Sequence, residues 1–167
     1  CLIENSVIRN NKGHQLQVKL QAYNVHINNS WIEGKYMVQL GLPGNSPQCD
    51  LEAFNADSVV FRENVLFAKG DTSDFVFKMA DIHRLYIENN TVIKDSIDVN
   101  AGFVCFGGCA GNDNWQTPPT APVIIRNNIF YNHVENEFFA GPDTSFFDPL
   151  EIADEQITMD HNCFFAL

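Results

Sequence analysis

Leu85-Tyr86-Ile87-Glu88-Asn89-Asn90-Thr91-Val92-Ile93 and Val123-Ile124-Ile125-Arg126-Asn127-Asn128-Ile129-Phe130-Tyr131 are two copies of one phrase. Each alternates apolar residues, passes through a polar stretch ending in Asn, and resumes the alternation. Val25 to Ile32, Val59 to Phe67 and Ile157 to Phe165 are further copies, and Ile3 to Ile8 is a truncated one. Counted on the last polar position, the anchors are Ser6, Ser30, Asn64, Asn90, Asn128 and Asn162, at intervals of 24, 34, 26, 38 and 34 residues. A short basic period with variable insertions is the signature of a solenoid, in which each repeat is one coil stacked on the last.

The stretches between anchors also read as strands. Leu16-Gln17-Val18-Lys19-Leu20, Tyr36-Met37-Val38-Gln39-Leu40, Phe75-Val76-Phe77-Lys78-Met79 and Ile97-Asp98-Val99 place apolar residues at every second position. Three short strands per coil, each parallel to its neighbours above and below, predict an all-β chain. The specific expectation is a right-handed parallel β-helix of about six coils, roughly 25–30 Å tall at strand spacing. The alternative is a β-sandwich with Asn-rich turns. No strand–helix alternation supports a doubly wound fold. In the tight turn of the phrase, Asn tolerates the left-handed backbone region. Stacked Asn amides can also bond along the column, so Asn64, Asn90, Asn128 and Asn162 are the expected ladder, continued by Ser30 and Ser6. Val25, Val59, Leu85, Val123 and Ile157 form one expected inward column, with Ile27, Phe61, Ile87, Ile125 and Met159 in the next.

Residues 1–167 read as a single domain. Neither end carries the polar cap that a terminal coil needs, so the expectation is a segment of a longer β-helix or one covered by a partner. Apolar residues make up 45% of the chain and include 14 Phe, enough for a continuous core. The 19 Asn favour turns over helices. The net charge of −11 argues against nucleic acid, whose phosphates require a basic face. It also requires cations such as calcium to mediate contact with an anionic polysaccharide. No apolar run reaches the length of a membrane span. Of the five cysteines, Cys105 and Cys109 flank two glycines and are candidates for a small local disulfide in a secreted protein.

The phrases Ile125 to Asn132 and Met159 to Phe165 resemble the coils of right-handed β-helices in the pectate-lyase-like superfamily of secreted carbohydrate-active proteins. The resemblance covers nearly the whole chain, but it is one of scaffold. It implies an extracellular or cell-surface protein with a groove along one parallel sheet that cradles a polysaccharide. The chemistries it admits are those of a polysaccharide lyase or a glycoside hydrolase. Non-catalytic adhesin, tailspike-like or spacer modules share the scaffold and remain the alternative. Asp95-Ser96-Ile97-Asp98-Val99 is similar to the Asp-Gly-Ile-Asp segment of polygalacturonases, with Asp95 at that motif's first, functional Asp. The paired Asp-Asp, Gly-His-Gly and Arg-Ile-Lys elements of that family are absent from this chain.

On this reading the groove floor comprises the strands at Leu16, Tyr36, Phe75, Ile97 and Glu137. Met37 and Val76 face outward there, with a polar stripe of Lys19, Gln39, Lys78, Asp98 and Asn100, and Glu137 one coil further. For a lyase, Lys78 is the candidate base that removes the C5 proton of a uronate, and Asp98 a candidate calcium ligand. For a hydrolase, the available carboxylates are Asp95, Asp98 and Glu137. His83 and Arg84 are candidates for binding a substrate carboxylate, and Trp115 for stacking on a sugar ring. The competing account of each is a solvated sheet face, an ordinary turn or a loop that covers the core.

Overall fold

The computed structural model describes residues 1–9, 11–19, 22–41, 56–69, 76–79, 82–95, 103–106, 122–133 and 157–166. All sixteen named elements are strands, and all the strand pairs are parallel. They form three sheets that the chain visits in rotation. The first sheet holds Leu2–Glu4 (β1), Ala22–Asn28 (β4), Ala56–Arg62 (β7), Leu85–Glu88 (β10), Val123–Arg126 (β13) and Ile157–Asp160 (β15). The second holds Val7–Arg9 (β2), Trp31–Gly34 (β5), Val65–Lys69 (β8), Thr91–Asp95 (β11), Ile129–Asn132 (β14) and Cys163–Ala166 (β16). The third holds His14–Val18 (β3), Tyr36–Leu40 (β6), Phe77–Met79 (β9) and Val104–Phe106 (β12). This all-parallel arrangement is compatible with a parallel β-helix.

The register follows the apolar columns of the sequence. Val25 faces Val59, Leu85, Val123 and Ile157 in turn, and Ile27 faces Phe61, Ile87, Ile125 and Met159. With Ile32, Leu66, Val92 and Phe130 from the second sheet and Val38, Leu40, Phe77 and Val104 from the third, the columns from Val25 to Val123 and from Ile27 to Ile125 make one buried cluster. On the outermost strand Ile157 is only partly buried against it, and Met159, expected to face inward, is 38% exposed. Phe61 meets Phe77 edge-on at 5.4 Å between ring centroids, joining first and third sheets within it.

The turn between first and second sheets holds the chain in register at every rung. Asn64 Nδ2 donates to Asn90 Oδ1, Asn90 Nδ2 to Asn128 Oδ1, and Asn128 Nδ2 to Asn162 Oδ1, each at 3.0 Å. The same carbonyl oxygens accept from the backbone amides of Asn64, Asn90 and Asn128. At the other end the Ser30 amide donates to Asn64 Oδ1, and the Ser6 amide to Ser30 Oγ. The left-handed residue is not the anchor itself but the one before it. Asn5, Asn29, Glu63, Asn89, Asn127 and His161 have φ between 46° and 58°. Asn and His accept this conformation more readily than most residues, whereas Glu63 adopts it against its steric preference.

Replacing Glu63 by Asn is therefore expected to raise stability by about 1 kcal/mol, the strain relieved at one left-handed residue. Urea unfolding of the two proteins measures the gain.

Candidate functional site

The third sheet presents a polar row, though not with the membership the sequence suggested. Gln17, Gln39 and Lys78 lie directly opposite one another on successive strands. Gln17 Nε2 donates to Gln39 Oε1 at 3.1 Å. Lys19 sits two residues past Gln17, about 7 Å along the strand, so it flanks the row without joining it. Partial burial holds its ammonium below the ordinary lysine range. Met37 and Val76, expected to face outward, are buried. The strand next to Lys78 is also not the one at Ile97. Val104 pairs with Phe77, and Cys105 lies opposite Lys78. The cause is the length of the connection between second and third sheets, which is residue 35 alone after β5 but residues 96–103 after β11. Asp98, Asn100, Trp115, Glu137 and Cys109 lie outside the described residues.

Asp95 belongs to a different surface, at the C-terminal end of β11 in the second sheet. It pairs in register with Lys69, and its carboxylate lies 3.9 Å from His133 Nδ1, just beyond β14. Lys69 in turn pairs with Glu33, whose other carboxylate oxygen accepts from Trp31 Nε1 at 3.0 Å. The hydrogen bonds from Lys69 and Trp31 hold the Glu33 carboxyl below the usual carboxylate range. Glu33, Lys69, Asp95 and His133 thus form a charged row along the edge of the second sheet. With residue 35 alone separating β5 from β6, this edge adjoins the start of the third sheet. An acid next to an imidazole can orient the ring for proton transfer. His133 was missed by the sequence reading, although the Tyr131-Asn132-His133 stretch continues β14, the strand beside that of Asp95.

His83 and Arg84 face the first sheet instead. Arg84 grips Asp57 with both arms of its guanidinium, Nε to Oδ1 at 2.7 Å and NH2 to Oδ2 at 2.5 Å. His83 Nδ1 lies 3.9 Å from Asp57 Oδ1. The bonds from Arg84 overcome burial and hold the Asp57 carboxyl below its ordinary value. A second buried carboxylate, Glu88, is bridged by two arginines. Arg62 NH2 donates to Oε2 at 2.6 Å, and Arg126 Nε to Oε1 at 2.7 Å. Burial pushes Glu88 up, and the two arginines more than reverse that. Asp57 and Arg62, the residue opposite Glu88, are five positions apart on β7, roughly 16 Å along an extended strand. That separation is too wide for a pair of carboxylates flanking one glycosidic bond.

The structure therefore brings Gln39 and Lys78 together on the third sheet, with Lys19 alongside. It places Asp95 on the second sheet and His83 and Arg84 on the first. Among the described residues, no group of three or more His, Cys, Asp or Glu side chains could hold a metal ion. No helix there is long and apolar enough to cross a membrane. Inside the second sheet, Lys94 is fully buried and in register with Asn132. Both amide atoms of Asn132 are buried without a hydrogen-bond partner. The strict alternation Val92-Ile93-Lys94 carried the signal for an inward lysine, because Lys94 shares parity with the buried Val92. No protein-family model matches the chain, and neither does any curated protein or solved structure.

The arginine bridge gives a pH-dependent contribution of definite sign. The Glu88 carboxyl is held low in the folded chain, so the unfolded chain binds more protons in acid. Its stabilisation is complete at neutral pH and is lost as the pH falls below about 4. Both arginines are half exposed, so Glu88→Gln is expected to cost only about 1–2 kcal/mol at pH 7. In urea unfolding, the gap between variant and parent closes as the pH is lowered toward 2.

Proposed function

We propose that the chain is a right-handed parallel β-helix of about six coils, similar to the pectate-lyase-like superfamily, and a secreted protein that binds and cleaves an extended polysaccharide. The glycan lies along the outer face of the third sheet. The observation that carries this reading is the in-register row Gln17, Gln39 and Lys78, a polar stripe running across strands rather than along one. Adjacent rungs are about 4.8 Å apart, so successive sugars meet amide and ammonium donors in turn. Asp95 and His133, at the neighbouring edge of the second sheet, supply an acid–base pair at the border of that groove.

Two reactions fit these groups. In β-elimination a base, Lys78 or His133, removes the proton next to a uronate carboxylate, and a cation neutralises that carboxylate. In hydrolysis Asp95 works with a second carboxylate, for which Asp98 and Glu137 are the sequence candidates. A non-catalytic glycan-binding or spacer module is the second reading. It is favoured by the commitment of the two buried carboxylates among the described residues, Asp57 and Glu88, to arginines.

The test is a panel of plant, algal and animal polysaccharides, with and without calcium, followed by ultraviolet absorbance of unsaturated products and by reducing ends. Elimination predicts rising absorbance that falls about 10²–10⁴-fold in Lys78→Ala or His133→Ala. Hydrolysis predicts reducing ends alone, with a comparable loss in Asp95→Asn. Binding without either product, from folded protein, selects the non-catalytic reading. Absence of both binding and product contradicts the proposal.

A further inference from the structure

The outer face of the second sheet carries aromatic columns that the proposed groove does not use, although Asp95 and His133 at its edge border that groove. Trp31, Phe67, Tyr131 and Phe165 all point outward from the second sheet, on four of its six strands. Phe67, Tyr131 and Phe165 occupy one register position, with Ile93 between them. Trp31, 39% exposed, stands in the adjacent column and meets Phe67 edge-on at 6.4 Å between centroids. Val7, Ile129 and Phe165 on the same face are also well exposed. An apolar strip of this kind is comparable to the largest that a typical monomer exposes, and such strips are often functional.

Three observations identify its occupant. First, Trp31 is fixed before any ligand arrives, because Nε1 is bound to Glu33 and Glu33 is held by Lys69. A rigid indole beside a carboxylate and an ammonium offers an apolar plate with hydrogen-bonding groups at its rim. That combination suits a sugar ring, with its C–H face and equatorial hydroxyls. Second, the face is electrically neutral although the chain carries −11. Among the described residues its two cations, Arg9 and Lys69, balance its two carboxylates, Glu33 and Asp95, with the imidazole of His133 beside Asp95, so the face matches an uncharged chain. Third, the patch is small. Six strands and two outward columns span roughly 25 Å by 12 Å, about 300 Å², well under the ~800 Å² per partner of a standard protein interface. A long, narrow ligand uses such a strip, whereas a second copy of the chain does not.

We propose that the outer face of the second sheet is a stacking platform for an uncharged, extended polysaccharide that crosses the strands over Trp31, Phe67, Tyr131 and Phe165. This platform is separate from the groove on the third sheet. It stands whether or not that groove cleaves anything.

The experiment is calorimetric titration of the intact chain with cellohexaose and with mannohexaose, using polygalacturonate as the charged control. At least one neutral hexamer binds, and Trp31→Ala and Phe67→Ala each weaken that binding at least tenfold. Glu33→Ala, which frees the indole without removing it, weakens it less. Tyr23→Ala, which removes an exposed aromatic from the first sheet, leaves it unchanged. Circular dichroism and thermal melting establish that each variant is folded. The proposal is overturned if neither hexamer binds, or if binding survives both aromatic substitutions. Concentration-dependent self-association abolished by Trp31→Ala also overturns it, by showing that the face meets a second copy.

Discussion

The bond from one Asn amide to the next is the constraint on which the rest of the structure depends. Parallel strands joined by tight turns bury backbone groups that must find partners, and here the partners come from the matching turn between the neighbouring strands. Asn90 shows the economy of the arrangement. Its carbonyl oxygen accepts from both the backbone and side-chain nitrogens of Asn64. Its Nδ2 serves the carbonyls of Phe61 and Glu88 and the side chain of Asn128. A buried amide with every bond made fixes position along the strand as well as stacking, because a one-residue slip would orphan several donors at once. The left-handed residue before each anchor serves the same turn, and its strain persists because the stacked rungs over-determine it.

Register fixed at this corner propagates to the surfaces. On the first sheet it aligns Arg62, Glu88 and Arg126, so that a carboxylate with little exposure always has a cation above and below. Removing either arginine would leave part of that charge uncompensated, which makes the row a structural feature and leaves little scope for proton transfer. On the third sheet the same alignment gives the polar row of Gln17, Gln39 and Lys78. On the second it gives aromatic columns outside and a wholly buried Lys94 inside. One corner thus sorts the described strands into faces with different chemistry.

Much of this is legible in the sequence because strand parity and anchor spacing report directly on geometry. The inward columns beginning at Val25 and Ile27 pair as their spacing predicts, since each lies at a fixed distance from a polar anchor. The third sheet was harder to read. Its strands follow connections of variable length, so no anchor fixes where β12 begins, and Val104–Phe106 takes the place expected for Ile97–Val99. The ion pairs were not legible either. Arg84, just before β10, and Asp57 on β7 are far apart in sequence and meet only because those strands are neighbours, and so do Arg62 and Glu88. Lys94 was legible in parity but was overlooked, because a lysine in a strand is ordinarily assigned to solvent.

Hydrogen exchange of the asparagine side-chain amides, resolved by nuclear magnetic resonance, tests the central claim most directly. Asn64, Asn90 and Asn128 should exchange their Nδ2 protons only through global unfolding, with protection matching the chain's full unfolding free energy. Exposed amides such as that of Asn127 should exchange at unprotected rates. Rapid exchange at Asn90, from a folded chain, would contradict the claim that this column of bonds holds the sheets in register.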